Sequence, residues 1–200
     1  MTGNIDINLV RLCGTLAAKP VFSHESRGQA FYRLPLEVRR LSGAADTLPV
    51  LLRRELLEAL GAEGEKLCVT GELRTFNNHR GEGARLVITV FARELSFCGG
   101  EDEDAVQLSG TLCKPPVLRR TPLGREICDL LLAVNRRYGR SDYLPCICWG
   151  RTAREAAALG VGARVRLEGR FQSRGYIKLV DGAPVEKTAY EVSASTVEAE

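Results

Sequence analysis

Apolar and polar positions alternate along most of this 200-residue chain. Val165, Leu167, Gly169 and Phe171 interleave with Arg164, Arg166, Glu168 and Arg170. A strand sends successive side chains to opposite faces, so this period of two reads as a half-buried strand with Phe171 in the core. The same pattern gives strands over 5–16, 29–39, 47–52, 66–75 and 85–95. It returns over 106–112, 125–136, 142–149, 163–173 and 187–197. Two segments, RELLEAL near 55–60 and AREAAAL near 152–159, have the leucine, alanine and Glu–Arg content of short helices. Phe31 and Phe91 are read as core residues.

The chain is one unit written twice. LCGTLAAKPVFSHESRGQAFYRLPLEV (12–38) aligns without a gap with LSGTLCKPPVLRRTPLGREICDLLLAV (108–134), at an offset of 96. The offset grows to 98 at Gly71 and Gly169 and to 102 near Val90 and Val192. This predicts domains over 1–97 and 105–200, joined by a glycine-containing acidic linker over 98–104. Three strands, a short helix and two strands in about 95 residues is the order of the oligonucleotide/oligosaccharide-binding (OB) fold. The expected class is all-β: two tandem five-stranded OB barrels, each with a helix between its third and fourth strands.

The stretch from Ala133 to Trp149 carries the candidate chemistry. Tyr143, Pro145, Ile147 and Trp149 share one face, and Leu144, Cys146 and Cys148 share the other. Arg136, Arg137, Tyr138 and Arg140 form the turn between two strands. Flat rings beside guanidiniums suit a single-stranded nucleic acid, because bases stack on the rings and phosphates take the charge. The alternative is a core strand with one exposed aromatic.

Charge sharpens this reading. The net charge is only +3. Residues 105–197 carry 15 basic and 8 acidic residues, against 13 and 11 over 1–97. Arginine outnumbers lysine 23 to 5, and arginine both forks onto phosphate and stacks on rings. A GC-rich genome produces the same excess. The seven cysteines have no metal-ligand spacing, and Cys146 and Cys148 point together into the core, so reduced, buried thiols and no metal are expected. No apolar run approaches the roughly 20 residues of a membrane helix, and the N-terminus lacks a signal-peptide pattern. A cytoplasmic, nucleoid-associated protein without a membrane partner is expected. There is no phosphate-cradling Gly-Lys-Ser/Thr loop and no GxSxG element, and His24 and His79 lie in predicted loops without an adjacent nucleophile. No enzyme activity, catalytic residue or cofactor is therefore expected.

The second half resembles the bacterial single-stranded DNA-binding protein family. The resemblance rests on AVNRRY, WGRTARE and VRLEGRFQSR taken together, in the expected order over roughly 106–197. It implies stacking residues at four places, occupied here by Tyr138, Tyr143, Trp149 and Tyr176. Phosphate contacts are assigned to Arg119, Arg120, Arg136, Arg137, Arg140, Arg151, Arg170, Arg174 and Lys178. The first half has Ser42, Thr47, Arg53 and Asn78 at the corresponding positions. It therefore reads as a diverged structural or assembly partner, with Phe22, Phe76, His79 and Arg80 as its candidate contacts. The expected function is binding of single-stranded DNA with little sequence specificity, in replication, recombination or repair. An interaction adaptor of the primosome type and an RNA-binding module stand as alternatives. The family is commonly a tetramer of single barrels, so a homodimer supplying four barrels is expected, with replication or repair proteins as partners. The family's acidic tail does not follow the last expected strand, so recruitment through such a tail is not expected.

Overall fold

The structure, a computed structural model, describes residues 6–78, 86–180 and 182–200. Each half is a closed five-stranded barrel. In the first half the strands are β1 (Asn8–Leu16), β2 (Val21–Ser26), β3 (Gln29–Arg39), β4 (Ala45–Arg53), β5 (Lys66–Asn77) and β6 (Leu86–Phe97). β3 pairs with β4, β4 runs parallel to β6, β6 pairs with β5, and β5 pairs with β1. The end of β1 returns to β3 through Thr15–Glu37 and Leu16–Leu36, and this closes the barrel. β2 is an added edge strand on β3.

The second half repeats the scheme. Its strands are β7 (Glu103–Leu112), β8 (Val117–Arg120), β9 (Glu126–Asn135), β10 (Ser141–Trp149), β11 (Arg164–Val180) and β12 (Ala183–Ala199). Helix α1 (Gly150–Ala157) sits between β10 and β11. The repeated glycines have a steric reason. A Cβ on Gly14 would lie 2.3 Å from the Glu37 carbonyl oxygen, and one on Gly110 would lie 2.4 Å from that of Ala133. Only glycine lets β1 and β7 pass this close to the strands that shut each barrel.

Alternate residues fill the two interiors. Leu12, Leu34, Leu36, Leu48, Leu52 and Leu73 are fully buried in the first barrel, and Leu108, Leu112, Leu132, Leu144 and Phe171 in the second. Each such side chain contributes about 1.5–3 kcal/mol by leaving water.

Four features of the fold differ from these expectations. The polar bends after β1 and β7 contain the short strands β2 and β8, which are exposed and carry little hydrophobic signal. The predicted linker is shorter, because Glu103 and Asp104 already belong to β7. The RELLEAL segment forms a 3-10 helix over Arg54–Ala59 with no buried residue. α1 instead packs Ala153 and Ala156 into the barrel, where small side chains permit close approach. Finally, the cysteines are not all thiols. Register places Cys13 of β1 opposite Cys68 of β5, and the two form a disulfide. The Cys98 sulfur lies within 4.8 Å of both, but the bonded pair leaves that trio a single free thiol. Cys128, Cys146 and Cys148 are the expected buried thiols. Burial pushes the Cys148 thiol up to about 12, so it stays protonated and inert.

The barrels are fused by their first strands. β1 and β7 pair antiparallel, with Val10 opposite Val106 at the centre, and all twelve described strands join one continuous sheet. Several contacts across the seam recur in matched pairs at the offset of the repeat, although the Arg11–Glu103 ion pair has no counterpart. Asp6 accepts from the Asn135 N–H at 2.8 Å and from Arg164 at 2.9 Å. Asp102 does the same for the first barrel, with the Arg39 N–H and Lys66 both at 2.8 Å. Asp46 of β4 takes the Ser173 N–H at 2.8 Å and its hydroxyl at 2.7 Å, while Arg40 forks onto the same carboxylate. Asp142 of β10 takes the Thr75 N–H at 2.7 Å, with Arg136 at 2.6 Å and Arg74 at 3.0 Å.

Candidate nucleic-acid interface

On β9 and β10 the inward positions are Cys128, Leu130, Leu132 and Val134 against Cys148, Cys146, Leu144 and Asp142. The outward face is therefore Ile127 beside Trp149, Asp129 beside Ile147, Leu131 beside Pro145, and Ala133 beside Tyr143. Ile127 and Ile147 are buried at the floor, whereas Trp149 is 39% and Tyr143 49% exposed. Two large, partly exposed rings thus stand on one packed floor. They are six positions apart along the strand, a span of about 20 Å.

Tyr138 lies at the tip of the same hairpin. The Arg136 N–H bonds the Arg140 carbonyl at 2.7 Å and closes a tight 3-10 turn over Arg137–Gly139. Tyr138 adopts φ 67° there, a conformation uncommon for a residue with a side chain. Its ring is 96% exposed, so the backbone turn holds it out rather than packing. The fourth ring is placed differently from expectation. Tyr176 lies beyond the strand expected over 163–173 and yet is on a strand, because β11 and β12 extend as a long hairpin with Tyr176 opposite Lys187. β12 lies against β10, with Ile147 opposite Ser193, so the outward faces of β10, β12 and β11 are continuous. Arg170, Gln172, Arg174, Tyr176 and Lys178 line that surface on β11. The Arg174 guanidinium lies 6.0 Å from the Tyr176 ring centroid.

Trp149 opens onto a groove of about 440 Å³ shared with Asp104, Thr152, Arg170 and Ser193. Asp104 is an unusual member of a surface expected to meet anions. Burial pushes its carboxyl up to about 7, and repulsion from Asp46 adds to this. The Phe171 N–H donates to it at 2.9 Å. Near neutral pH the group is close to half protonated, which softens its repulsion of a phosphate.

The basic residues divide into three groups. Arg137, Arg140 and Lys178 are exposed and make no ion pair among the described residues. Arg119 is paired with Asp129, Arg120 with Glu126, Arg151 with Glu155 and Arg174 with Glu191, while Arg170 donates to Gln172. The exposed pairs of Arg119, Arg120 and Arg151 are worth little, whereas Arg174 meets the buried Glu191 carboxylate. Arg136 departs from expectation. It is committed to Asp142, whose side chain is fully buried and needs a cation.

In the first barrel, Phe76 is exposed on the outward face of β5, while Phe22 of β2 packs edge-on against Tyr32 at 5.8 Å. His79 and Arg80 lie outside the described residues. Phe31 and Phe91 are not core residues: they are half-buried on the outward face, opposite in parity to Leu34, Leu36 and Val90. That parity was available in the sequence. The seam aspartates and Asp104 had no such signal, because only the pairing of β1 with β7 gives them their partners.

Residues 104–199 match the profile described as the single-strand binding protein family. Single-stranded DNA-binding protein B of Bacillus subtilis is 37% identical over 99 residues, which cover 46% of this chain and 85% of that protein. The chain belongs to this family. Single-stranded DNA-binding protein A of the same organism is 37% identical over 78 residues, covering 36% of this chain and 45% of that protein. The chain thus spans about half the length of some of the curated relatives it matches. The crystal structure of the wild-type single-stranded DNA binding protein from Thermus aquaticus aligns with both barrels. Its TM-score is 0.76 at 25% identity, covering 98% of this chain and 94% of that one. The tandem OB architecture is therefore shared with this relative across almost its whole length. Among the described residues no helix is long and apolar enough to cross a membrane.

Proposed function

We propose that the protein binds single-stranded DNA with little sequence specificity, acting in replication, recombination or repair in the cytoplasm. The observation that supports this most is the outward face of the second barrel. Trp149, Tyr143 and Tyr176 stand on one continuous surface with Tyr138 at its hairpin tip, and Arg137, Arg140 and Lys178, which make no ion pair among the described residues, lie around them. Base–ring stacking is worth about 1–3 kcal/mol per base and does not depend on base identity. Paired strands cannot reach these rings, because their bases are already stacked on one another. The work is binding, not catalysis, and a homodimer of this chain would supply four barrels.

Fluorescence anisotropy of labelled oligo(dT), with unlabelled competitors, tests this. Oligo(dT) should compete at nanomolar to micromolar strength, duplex DNA far less, and oligo(U) at a level that fixes the DNA-over-RNA preference. Equal competition by duplex would contradict the proposal. A second reading, a paired-barrel protein adaptor with weak nucleic-acid binding, draws on the ion pairs that already neutralise Arg119, Arg120, Arg151 and Arg174. Absence of oligo(dT) binding at low salt would favour it.

A further inference from the structure

The first barrel has an aromatic face of its own, made from other positions. In the second barrel Trp149 pairs with Ile127, and Ile147 pairs with Ser193. In the first, Arg53 pairs with Phe31, and Leu51 pairs with Phe91. Ring and non-ring have changed places: arginine stands where the second barrel has tryptophan, and phenylalanines stand where it has isoleucine and serine. The Phe31 and Phe91 centroids are 6.3 Å apart. His24 of β2 stacks on Phe31 at 4.8 Å with 12° between the planes. The Arg53 and Arg93 guanidiniums lie 5.5 and 4.8 Å from the Phe91 centroid.

These five side chains do not behave as core. The rings are half-buried, and His24, Arg53 and Arg93 are exposed. Arg93 shares Glu72 with Arg74, whereas Arg53 has no ion pair among the described residues. The cluster therefore carries net positive charge over flat rings. His24 on Phe31 shows that a planar heteroaromatic fits that face, and the exposed imidazole and Arg53 can swing aside to admit another.

We propose that this cluster is a second base-stacking site, in which a nucleobase lies on Phe31 or Phe91 and the adjoining phosphate meets Arg53. One strand then engages both barrels of a chain. The site rests on the single-stranded DNA reading above. It replaces the expectation that the first barrel is only structural.

The test uses the full chain carrying Phe31→Leu and Phe91→Leu, which keep apolar volume and remove the π surface. Trp149 remains to report on the second barrel. Titration with poly(dT) should give a footprint in nucleotides per chain reduced to roughly half, since each OB barrel covers about 4–16 nucleotides. Affinity for an oligo(dT) long enough to span both barrels should fall about tenfold. Photocrosslinking with 5-iodouracil-substituted oligo(dT) should mark Phe31, Phe91 or His24 in the unsubstituted protein. An unchanged footprint and affinity, with no crosslink in the first barrel, would overturn the site while leaving the second-barrel reading intact. Wild-type protein that binds no oligo(dT) would overturn both. If the double variant does not fold, Arg53→Glu, at an exposed position, reads the same footprint.

Discussion

Asp46 and Asp142 do one job in opposite directions. Each lies on the third strand of its own barrel, holds an arginine from the preceding turn, and accepts a backbone N–H from the other barrel's β11 or β5. Burial opposes the ionisation of Asp46. Arg40 and the N–H and hydroxyl of Ser173 outweigh it, and hold its carboxyl below the ordinary carboxylate range. The two aspartates lock strand to strand, and with them the relative orientation of the two candidate binding faces.

Replacing Asp142 with alanine leaves Arg136 and Arg74 half-buried without their shared carboxylate. Breaking a buried ion pair from one side costs about 3–5 kcal/mol. Urea denaturation should show a loss of about that size, and Asp142→Asn, which still accepts the Thr75 N–H, should lose less. A change under about 0.5 kcal/mol in the alanine variant would mean that the clamp carries little of the interface.

Trp149→Ala should weaken oligo(dT) binding by about 1–3 kcal/mol, with stability little changed because the ring is partly exposed. Trp149→Phe should retain most of the affinity. Anisotropy titrations at fixed salt measure both. Loss of folding in the alanine variant would recast Trp149 as packing.

Arg137 and Arg140 should each act through one phosphate. For single strands, each neutralised phosphate adds about 0.7 to the slope of log affinity against log salt, so the double alanine variant should lose about 1.4. Arg136→Ala should chiefly lower stability, because its charge serves Asp142. A normal slope in the first variant would remove the hairpin tip from the contact surface.

The raised pKa of Asp104 fixes the sign of a pH effect. The group is protonated in the folded state up to about 7, and in the unfolded chain only up to the ordinary aspartate value of 3.8. Between these limits the folded state binds the extra proton, so stability falls as pH rises through the window. Above it a carboxylate faces the groove of Trp149 and Arg170. Affinity for oligo(dT) should therefore decline from about pH 6 to about pH 8. Asp104→Asn should flatten both curves, and unaltered curves would show that Asp104 does not titrate there.

Much of this fold can be read from alternation and repetition. Gly14 and Gly110 recur because two strands pass within touching distance of another strand's carbonyl, and that recurrence exposes the duplication. Tyr143 and Trp149 sit on one face because strand parity puts them there. Phe31 is the counter-example: residue type alone suggests core, whereas its strand parity, opposite to that of Leu34 and Leu36, puts it outside. The disulfide and the seam aspartates depend on register between strands far apart in sequence. No local pattern encodes that register. Tyr176 lies in a long exposed hairpin that carries too little hydrophobic contrast to read as a strand.

The single tryptophan allows the most direct measurement. Its fluorescence should be quenched saturably as oligo(dT) is added at low salt, and the midpoint should move to higher concentration as salt is raised. Binding that saturates with the Trp149 signal unchanged, or no binding at any salt, would contradict the placement of the strand on this face.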